Sequence, residues 1–305
     1  MKKLSILLSI LTLSATLSAE TNAGLAGSYL RMGLGAQAIA MGNSGVALAA
    51  NGFAAYYNPA GIPYLDKRHL SMTYYFLSMD RQLHYVGLAI PLKPTAGVAI
   101  SWMHGGVTDI QGRDYLGNPD ETYETGEDAI VLSFANAFHP KFSAGINFKI
   151  LKNSLCDITA TGLGFDLGLL YKPTEHVTFG LEFKDIGASY TWNTQQLFEE
   201  EGGNYTETFP QIVKLGFAIQ QGNDYLVIGD LEYSDKGEIQ THFGGEYNYR
   251  KLCYFRMGMN DLTPCFGLGF AYGFIANLDT RLDYAVALGM VGEGATHVFS
   301  WEFKF

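Results

Sequence analysis

Residues 265–274 read Cys265-Phe266-Gly267-Leu268-Gly269-Phe270-Ala271-Tyr272-Gly273-Phe274, with each large apolar side chain at an even position and each small one at an odd position. Successive side chains of an extended chain point to opposite faces. The stretch therefore predicts a strand with one broad aromatic face and one nearly bare face. The same division recurs elsewhere. Leu163, Phe165, Leu167, Leu169 and Tyr171 oppose Gly162, Gly164, Asp166, Gly168 and Lys172. Val177, Phe179, Leu181 and Phe183 oppose His176, Thr178, Gly180, Glu182 and Lys184. Leu278, Leu282, Tyr284, Val286 and Leu288 oppose Asp279, Arg281 and Asp283. The chain ends on His297, Phe299, Trp301, Phe303 and Phe305 against Val298, Ser300, Glu302 and Lys304.

Alternation of this kind fits a soluble sandwich as well as a membrane barrel. Two further features favour the barrel. The apolar faces are aromatic-rich while the opposite faces are glycine or charge, and glycine gives a soluble core nothing to pack. The connections also sort by parity. Counting about 14 strands from residue 70 onward, the connections after the second, fourth, sixth, eighth, tenth and twelfth are short: Leu92-Lys93-Pro94, His139-Pro140, Pro173-Thr174, Gln221-Gly222-Asn223, Arg250-Lys251 and Ile275-Ala276. The long connections, 105–127 and 186–208, both follow odd strands. A transmembrane barrel with both termini in the periplasm has short turns there and longer loops outside.

Composition agrees. Charged residues make up 16% of the 305 residues and aromatics 14%, with 36 Gly, 19 Tyr and 20 Phe; about 25% charge is usual in soluble domains. The mean hydropathy of +0.05 is too polar for a helical membrane bundle. Beyond the N-terminus no apolar run approaches the roughly 18–20 residues that a membrane-spanning helix needs. Met1-Lys2-Lys3, the apolar run Leu4–Leu13 and the small polar residues after it read as a secretory leader. Cleavage is expected after Ala19 or Ala23. From Glu20 onward the loss of Lys2 and Lys3 leaves a net charge of −12, since the whole chain holds 20 basic and 30 acidic residues. Nucleic acid is a poor partner for such a surface. Cys156, Cys253 and Cys265 are too few for a disulfide scaffold, and the strand register offsets Cys253 from Cys265, so free thiols are expected.

Residues 24–62 differ from the rest, being rich in Gly and Ala with Arg31 as their single charge. Here Leu30-Arg31 to Gly35-Ala36, Ala40-Met41-Gly42 and Tyr57-Asn58-Pro59-Ala60-Gly61 stand out. These motifs resemble the N-terminus of the PorV/PorQ family, within the FadL-like superfamily of outer-membrane proteins. The resemblance is specific over about 40 residues; beyond them it rests on strand count, length and the terminal Phe305. It implies an all-β transmembrane antiparallel barrel of about 14 strands with an N-terminal hatch in the lumen. The expected organisation is a signal peptide over 1–19, the hatch over 20–69 and the barrel over 70–305. It further implies that the hatch and a kink in the third strand govern a lateral route for hydrophobic ligands, or that the barrel serves type IX secretion by binding secreted proteins. The aromatic last strand resembles the signal read by the barrel-assembly machinery. Expected partners are thus outer-membrane lipids, that machinery through the strand ending at Phe305, and a hydrophobic ligand or secreted proteins.

Other patterns weigh less. Gly33-Leu34-Gly35-Ala36-Gln37-Ala38 fits a dinucleotide fingerprint, but no strand precedes it and no βαβ unit surrounds it. Glu199-Glu200-Glu201 and the stretch 120–128 read as solvated acidic loops. The seven histidines lack metal-like spacing, with His176 and His242 expected to face the lumen, and no nucleophile elbow appears. No catalytic residue, metal or cofactor is expected. Inward charges of both signs recur at Lys149, Asp166, Glu182, Lys184, Lys214, Asp230, Glu232, Glu246, Arg250, Asp279, Arg281 and Asp283. Asp166, Glu182, Lys214, Arg281 and Asp283 are the leading lumen candidates. They read as a lumen held rigid by salt bridges or as a polar conduit. Asn58, Pro59, Ala60 and Gly61 are the hatch candidates, a turn that ends the hatch before the first strand. The main expectation is a non-enzymatic barrel that moves hydrophobic small molecules across or into the bacterial outer membrane. The alternative is a secretion accessory that binds exported proteins.

Overall fold

The computed structural model describes residues 24–48, 51–195, 202–275, 278–289 and 294–305. The leader 1–19, the acidic triplet Glu199–Glu201 and the turn at Ala276 lie outside them. The strands are β1 (His69–Phe76), β2 (Arg81–Leu92), β3 (Ala96–Arg113), β4 (Pro119–His139), β5 (Phe142–Leu155), β6 (Ile158–Tyr171), β7 (Val177–Ile186), β8 (Ser189–Asn193), β9 (Asn204–Thr208), β10 (Ile212–Gln221), β11 (Tyr225–Ser234), β12 (Ile239–Tyr249), β13 (Cys253–Asn260), β14 (Thr263–Ile275), β15 (Leu278–Leu288) and β16 (Ala295–Lys304). All but β8 and β9 form one closed antiparallel barrel of 14 strands. It closes where β1 pairs with β16, from His69↔Lys304 to Phe76↔His297. Closure pairs the backbone with no free edge, a condition for crossing a bilayer with strands.

The dyad pattern sorts the side chains. Ile100 on β3 is 52% exposed and Leu268 on β14 is 54% exposed, while their neighbours Ala99, Ser101 and Gly267 face inward. A continuous outer wall of exposed Leu, Ile, Phe and Tyr is unstable in water and suited to lipid. The inward glycines are explained by what they touch. Gly244 and Gly258 are cross-strand partners on β12 and β13. A Cβ on either would stand 2.4 Å from the backbone of Met41 or Gly42. The small inner face is therefore a seat for the N-terminal segment.

That segment fills the lumen as four short helical pieces: Ser28–Arg31, Ala36–Ala40, Ala54–Tyr57 and Pro59–Tyr64. Leu34, Met41, Phe53 and Ile62 within it are fully buried. Burying such a side chain stabilises by about 1.5–3 kcal/mol, so the hatch adds to the core of the barrel.

Two connections differ from the sequence reading. The stretch 105–127 is mostly strand: β3 and β4 continue pairing as a ribbon up to Arg113↔Pro119. Its tip is a turn in which Asp114 Oδ1 accepts from Leu116 N and Asn118 N at 2.8 and 2.9 Å. The stretch 186–208 holds the hairpin β8–β9, which branches onto the upper half of β6 at Ala160↔Trp192. The ribbon tip is exposed on both faces, and β8 is five residues long, with Tyr190 and Trp192 buried against the barrel between more exposed neighbours, so neither feature shows as a long dyad. The three cysteines are free, as the register predicts: Cys253 pairs with Phe270 and Cys265 with Gly258.

Candidate functional site

Short helical pieces leave most of their backbone N–H and C=O groups without partners inside the piece. In the hatch, side chains from the barrel wall supply them. Asp230 Oδ2 accepts from Gly45 N and Val46 N at 2.7 and 3.1 Å. Glu302 Oε2 accepts from Gly52 N at 3.0 Å, and Ser300 Oγ from Ala36 N at 2.9 Å. In the opposite sense, Lys184 Nζ donates to Tyr56 O at 3.2 Å, Asn147 Nδ2 to Ala55 O at 2.8 Å and Ser143 Oγ to Ala60 O at 2.7 Å. The hatch also braces itself. The Tyr57 hydroxyl lies 3.0 Å from Leu34 N, 2.9 Å from Leu34 O and 2.8 Å from Asn43 Oδ1. Burial pushes the Tyr57 phenol well above its ordinary pKa, so it stays a neutral donor.

The hatch motif sits on a matched platform. Asn58 caps the turn Pro59–Tyr64 by accepting from Ala60 N at 3.1 Å, and its Nδ2 donates to Val46 O and Leu169 O. Gly145 and Gly168, cross-strand partners on β5 and β6, lie directly beneath it. A Cβ on Gly145 would stand 2.7 Å from Ala60 N and Pro59 C. Asn58, Pro59, Ala60 and Gly61 are all buried here.

The five leading lumen residues all face inward, but in separate places. Asp166 joins Lys149 and Asp185, with Lys149 Nζ at 2.6 Å from a carboxylate oxygen of each. Lys214 pairs with Glu232 at 2.5 Å, and Glu232 also meets His242 Nε2 at 3.3 Å. Glu182 lies opposite Lys214 in the ladder, fully buried, with neither carboxylate oxygen hydrogen-bonded among the described residues. Arg281 and Asp283, two residues apart on the inner face of β15, meet at 2.8 Å, and Arg281 Nη2 reaches Gln37 Oε1 of the hatch at 2.7 Å.

Three expected inward groups are not inward. His176 and Arg250 are exposed on turns at the short-turn end. Asp279, also there, has its side chain 64% exposed and pairs with Lys67. Strand ends carry the alternation into turns that both faces leave for water. Two central groups were missed in the sequence. Arg256 bridges Glu246 and Asp283 at 2.6 and 2.7 Å. Asp185 is buried because a left-handed backbone (φ 58°) at the end of β7 turns it into the lumen. Arg256 was recoverable from the register with Glu246; Asp185 had no sequence signal beyond the Gly187 that follows.

At the long-loop end a vestibule of about 410 Å³ opens over the hatch, with Tyr29, Met32, Leu77, Val107, Leu155 and Trp192 among its lining residues. Beneath it a cavity of about 20 Å³ lies among Leu30, Tyr56, Tyr85, Met103, Lys149 and Lys184. The single turn Ser28–Arg31 separates the two. Arg31 pins that turn by donating to Leu25 O and Ala26 O at 3.0 and 2.9 Å, and Tyr56 OH donates to Leu30 O at 2.8 Å. The chain leaving β7 completes the seal: Ala188 crosses the inner face of Gly164, and Tyr190 packs edge-on against Phe209 at 4.9 Å.

The wall at β3 is continuous, paired on both sides from Ala96 to Val107. Past Val107 the β3–β4 register shifts, between Val107 and Ile110, and the β6–β7 register shifts between Phe165 and Leu167.

Fold and lumen together define a closed 14-strand antiparallel barrel filled by its N-terminal segment, an architecture shared with solved hydrocarbon channels. The chain is similar in structure to the CymD monoaromatic hydrocarbon channel (TM-score 0.65, 14% identity, covering 90% of this chain and 98% of that one). It is similar to the Pseudomonas putida toluene transporter TodX (TM-score 0.60, 14% identity, 89% and 97%). A Pseudomonas aeruginosa FadL homologue gives a TM-score of 0.61 at 13% identity, over 88% and 97%. No family model and no curated protein matches the sequence.

Proposed function

We propose that this protein is a bacterial outer-membrane channel for small hydrophobic molecules. The observation that carries this reading is the pair of cavities parted by the turn Ser28–Arg31. The vestibule is of ligand size, and one four-residue turn stands between it and the lumen. The short-turn end faces the periplasm, the ribbon β3–β4 projects outside, and the strand ending at Phe305 addresses the barrel-assembly machinery. Named neighbours that carry monoaromatic hydrocarbons or toluene support the substrate class. A deletion strain tests it: uptake of radiolabelled toluene falls and returns with the plasmid-borne gene. Unchanged uptake counts against the channel.

A second reading, PorV/PorQ membership with a role in type IX secretion, rests on the motifs in 24–62. It is favoured by the tip of the ribbon, where Tyr115 and Leu116 are 95% and 70% exposed, as a contact for exported proteins. Loss of secreted-protein release in the deletion strain, with toluene uptake intact, selects this reading over the first.

A further inference from the structure

Two carboxylates line the vestibule, Glu127 from β4 and Glu207 from β9. We propose that they are specificity-determining residues that select hydrophobic ligands without negative charge, holding aromatic amines tightest and rejecting carboxylates. The proposal rests on the channel reading above and names the substrate class of that site.

Both carboxylates are held in place by aromatic donors. Tyr190 OH donates to Glu127 Oε2 at 2.9 Å, and Trp192 Nε1 donates to Glu207 Oε2 at 3.3 Å. Tyr190 is fully buried, so the Glu127 charge is anchored from below. An ionised carboxylate has about four acceptor sites, and one donor leaves capacity for a ligand N–H. Among the described residues the base on this lining is Arg81. Its Nε donates to Ser78 O at 3.1 Å and its Nη2 to Ser78 Oγ at 3.3 Å, and one cation against two carboxylates leaves the described lining net negative. The ribbon above adds Asp109, Asp114, Asp120, Glu121 and Glu124 against Arg113.

An anion descending into this mouth meets fixed charge of its own sign while losing water, and both effects disfavour it. An ammonium gains the carboxylates and the faces of Tyr29 and Trp192. A neutral aromatic is indifferent to the charge and bound by the apolar lining alone.

Three compounds of nearly one shape separate these terms: benzylamine, benzyl alcohol and benzoate. Each is titrated calorimetrically into the full-length protein in neutral detergent at low salt. Benzylamine is expected to bind about tenfold or more tighter than benzoate, with benzyl alcohol between, and high salt narrows the gap. The near-isosteric double variant E127Q/E207Q, checked by its unfolding temperature, is expected to bring the three affinities together. Benzoate binding as tightly as benzylamine, or a gap that survives the double substitution, overturns the proposal. If all three bind alike, the channel reading stands and the selectivity falls. If none binds, the vestibule is not a ligand site and both fall.

Discussion

Gly168 on β6 lies against the side chain of Asn58 so closely that a Cβ on it would stand 2.1 Å from Asn58 Oδ1. The hatch is therefore seated on the wall by a side chain that fits because the wall has none. Gly168→Ala must displace the Asn58 amide, which bonds Ala60 N, Val46 O and Leu169 O. Overpacking of this kind costs about 1–3 kcal/mol. The expected outcome is a lower unfolding temperature in detergent and faster protease cleavage within the hatch. Asn58→Ala removes the same bonds without crowding and is expected to loosen the hatch to a similar degree. A G168A protein with wild-type cleavage kinetics refutes the seating.

The buried charges around Lys149 predict an asymmetric response. Lys149→Met strands Asp166 and Asp185, both buried, with no cation between them. Removing one partner of a buried ion group costs about 3–5 kcal/mol. The triple variant K149M/D166N/D185N removes the charges together and is expected to recover most of the loss. Chemical denaturation in detergent measures both. Equal losses in single and triple variants show that the ion group contributes no electrostatic strain to relieve.

The fold was largely legible, because a bilayer outside and a packed hatch inside impose opposite demands on alternate residues. Phe266, Leu268 and Phe270 against Gly267 and Gly269 record both demands in one strand. Beyond the membrane that contrast ends, and so did legibility: β8, β9 and the ribbon from Thr108 to Thr125 read as loop. The candidate site divides the same way. Asp166, Glu182, Lys214, Arg281 and Asp283 show as polar breaks in apolar strands. Their partners two strands along the wall do not, since Lys149–Asp185 and Arg256–Asp283 each reach past one intervening strand, and the first depends on how β7 bends at Asp185. The vestibule carboxylate Glu127 falls in the acidic stretch 120–128, which reads as a solvated loop, and nothing in its local sequence marks Glu207.

Deleting residues 24–62 tests the filling of the lumen. The deleted protein loses the backbone groups that Asp230, Glu302 and Lys184 bind, and those charges then line an aqueous bore. Wild-type protein in planar bilayers is expected to show little or no steady conductance. The deletion is expected to show discrete openings of porin-like size with ion selectivity that depends on pH. Matching conductances would mean that current bypasses the hatch.

The seal between vestibule and lumen makes the sharpest prediction. Gly27 precedes the turn Ser28–Arg31 with φ 68°, and a Cβ there would stand 2.2 Å from the Phe209 ring. Phe209 is buried, packs on Tyr190, and donates its backbone N–H to Ala188 O at 3.0 Å. Phe209→Ala keeps that backbone bond but removes the ring that roofs the turn. Burial lost at such a site costs about 3 kcal/mol. The ion networks deeper in the lumen, such as Arg256–Asp283, do not touch Phe209 and remain. The variant is therefore expected to stay a folded barrel while the turn swings more freely between the two cavities. Passage of benzyl alcohol into proteoliposomes should rise several-fold, and passage of a large dextran should stay at background. Arg31→Ala, which frees the same turn from Leu25 O and Ala26 O, should act in the same direction. An unfolded-looking loss of stability with no gain in passage would place the rate-limiting barrier elsewhere, below Leu30 in the lumen.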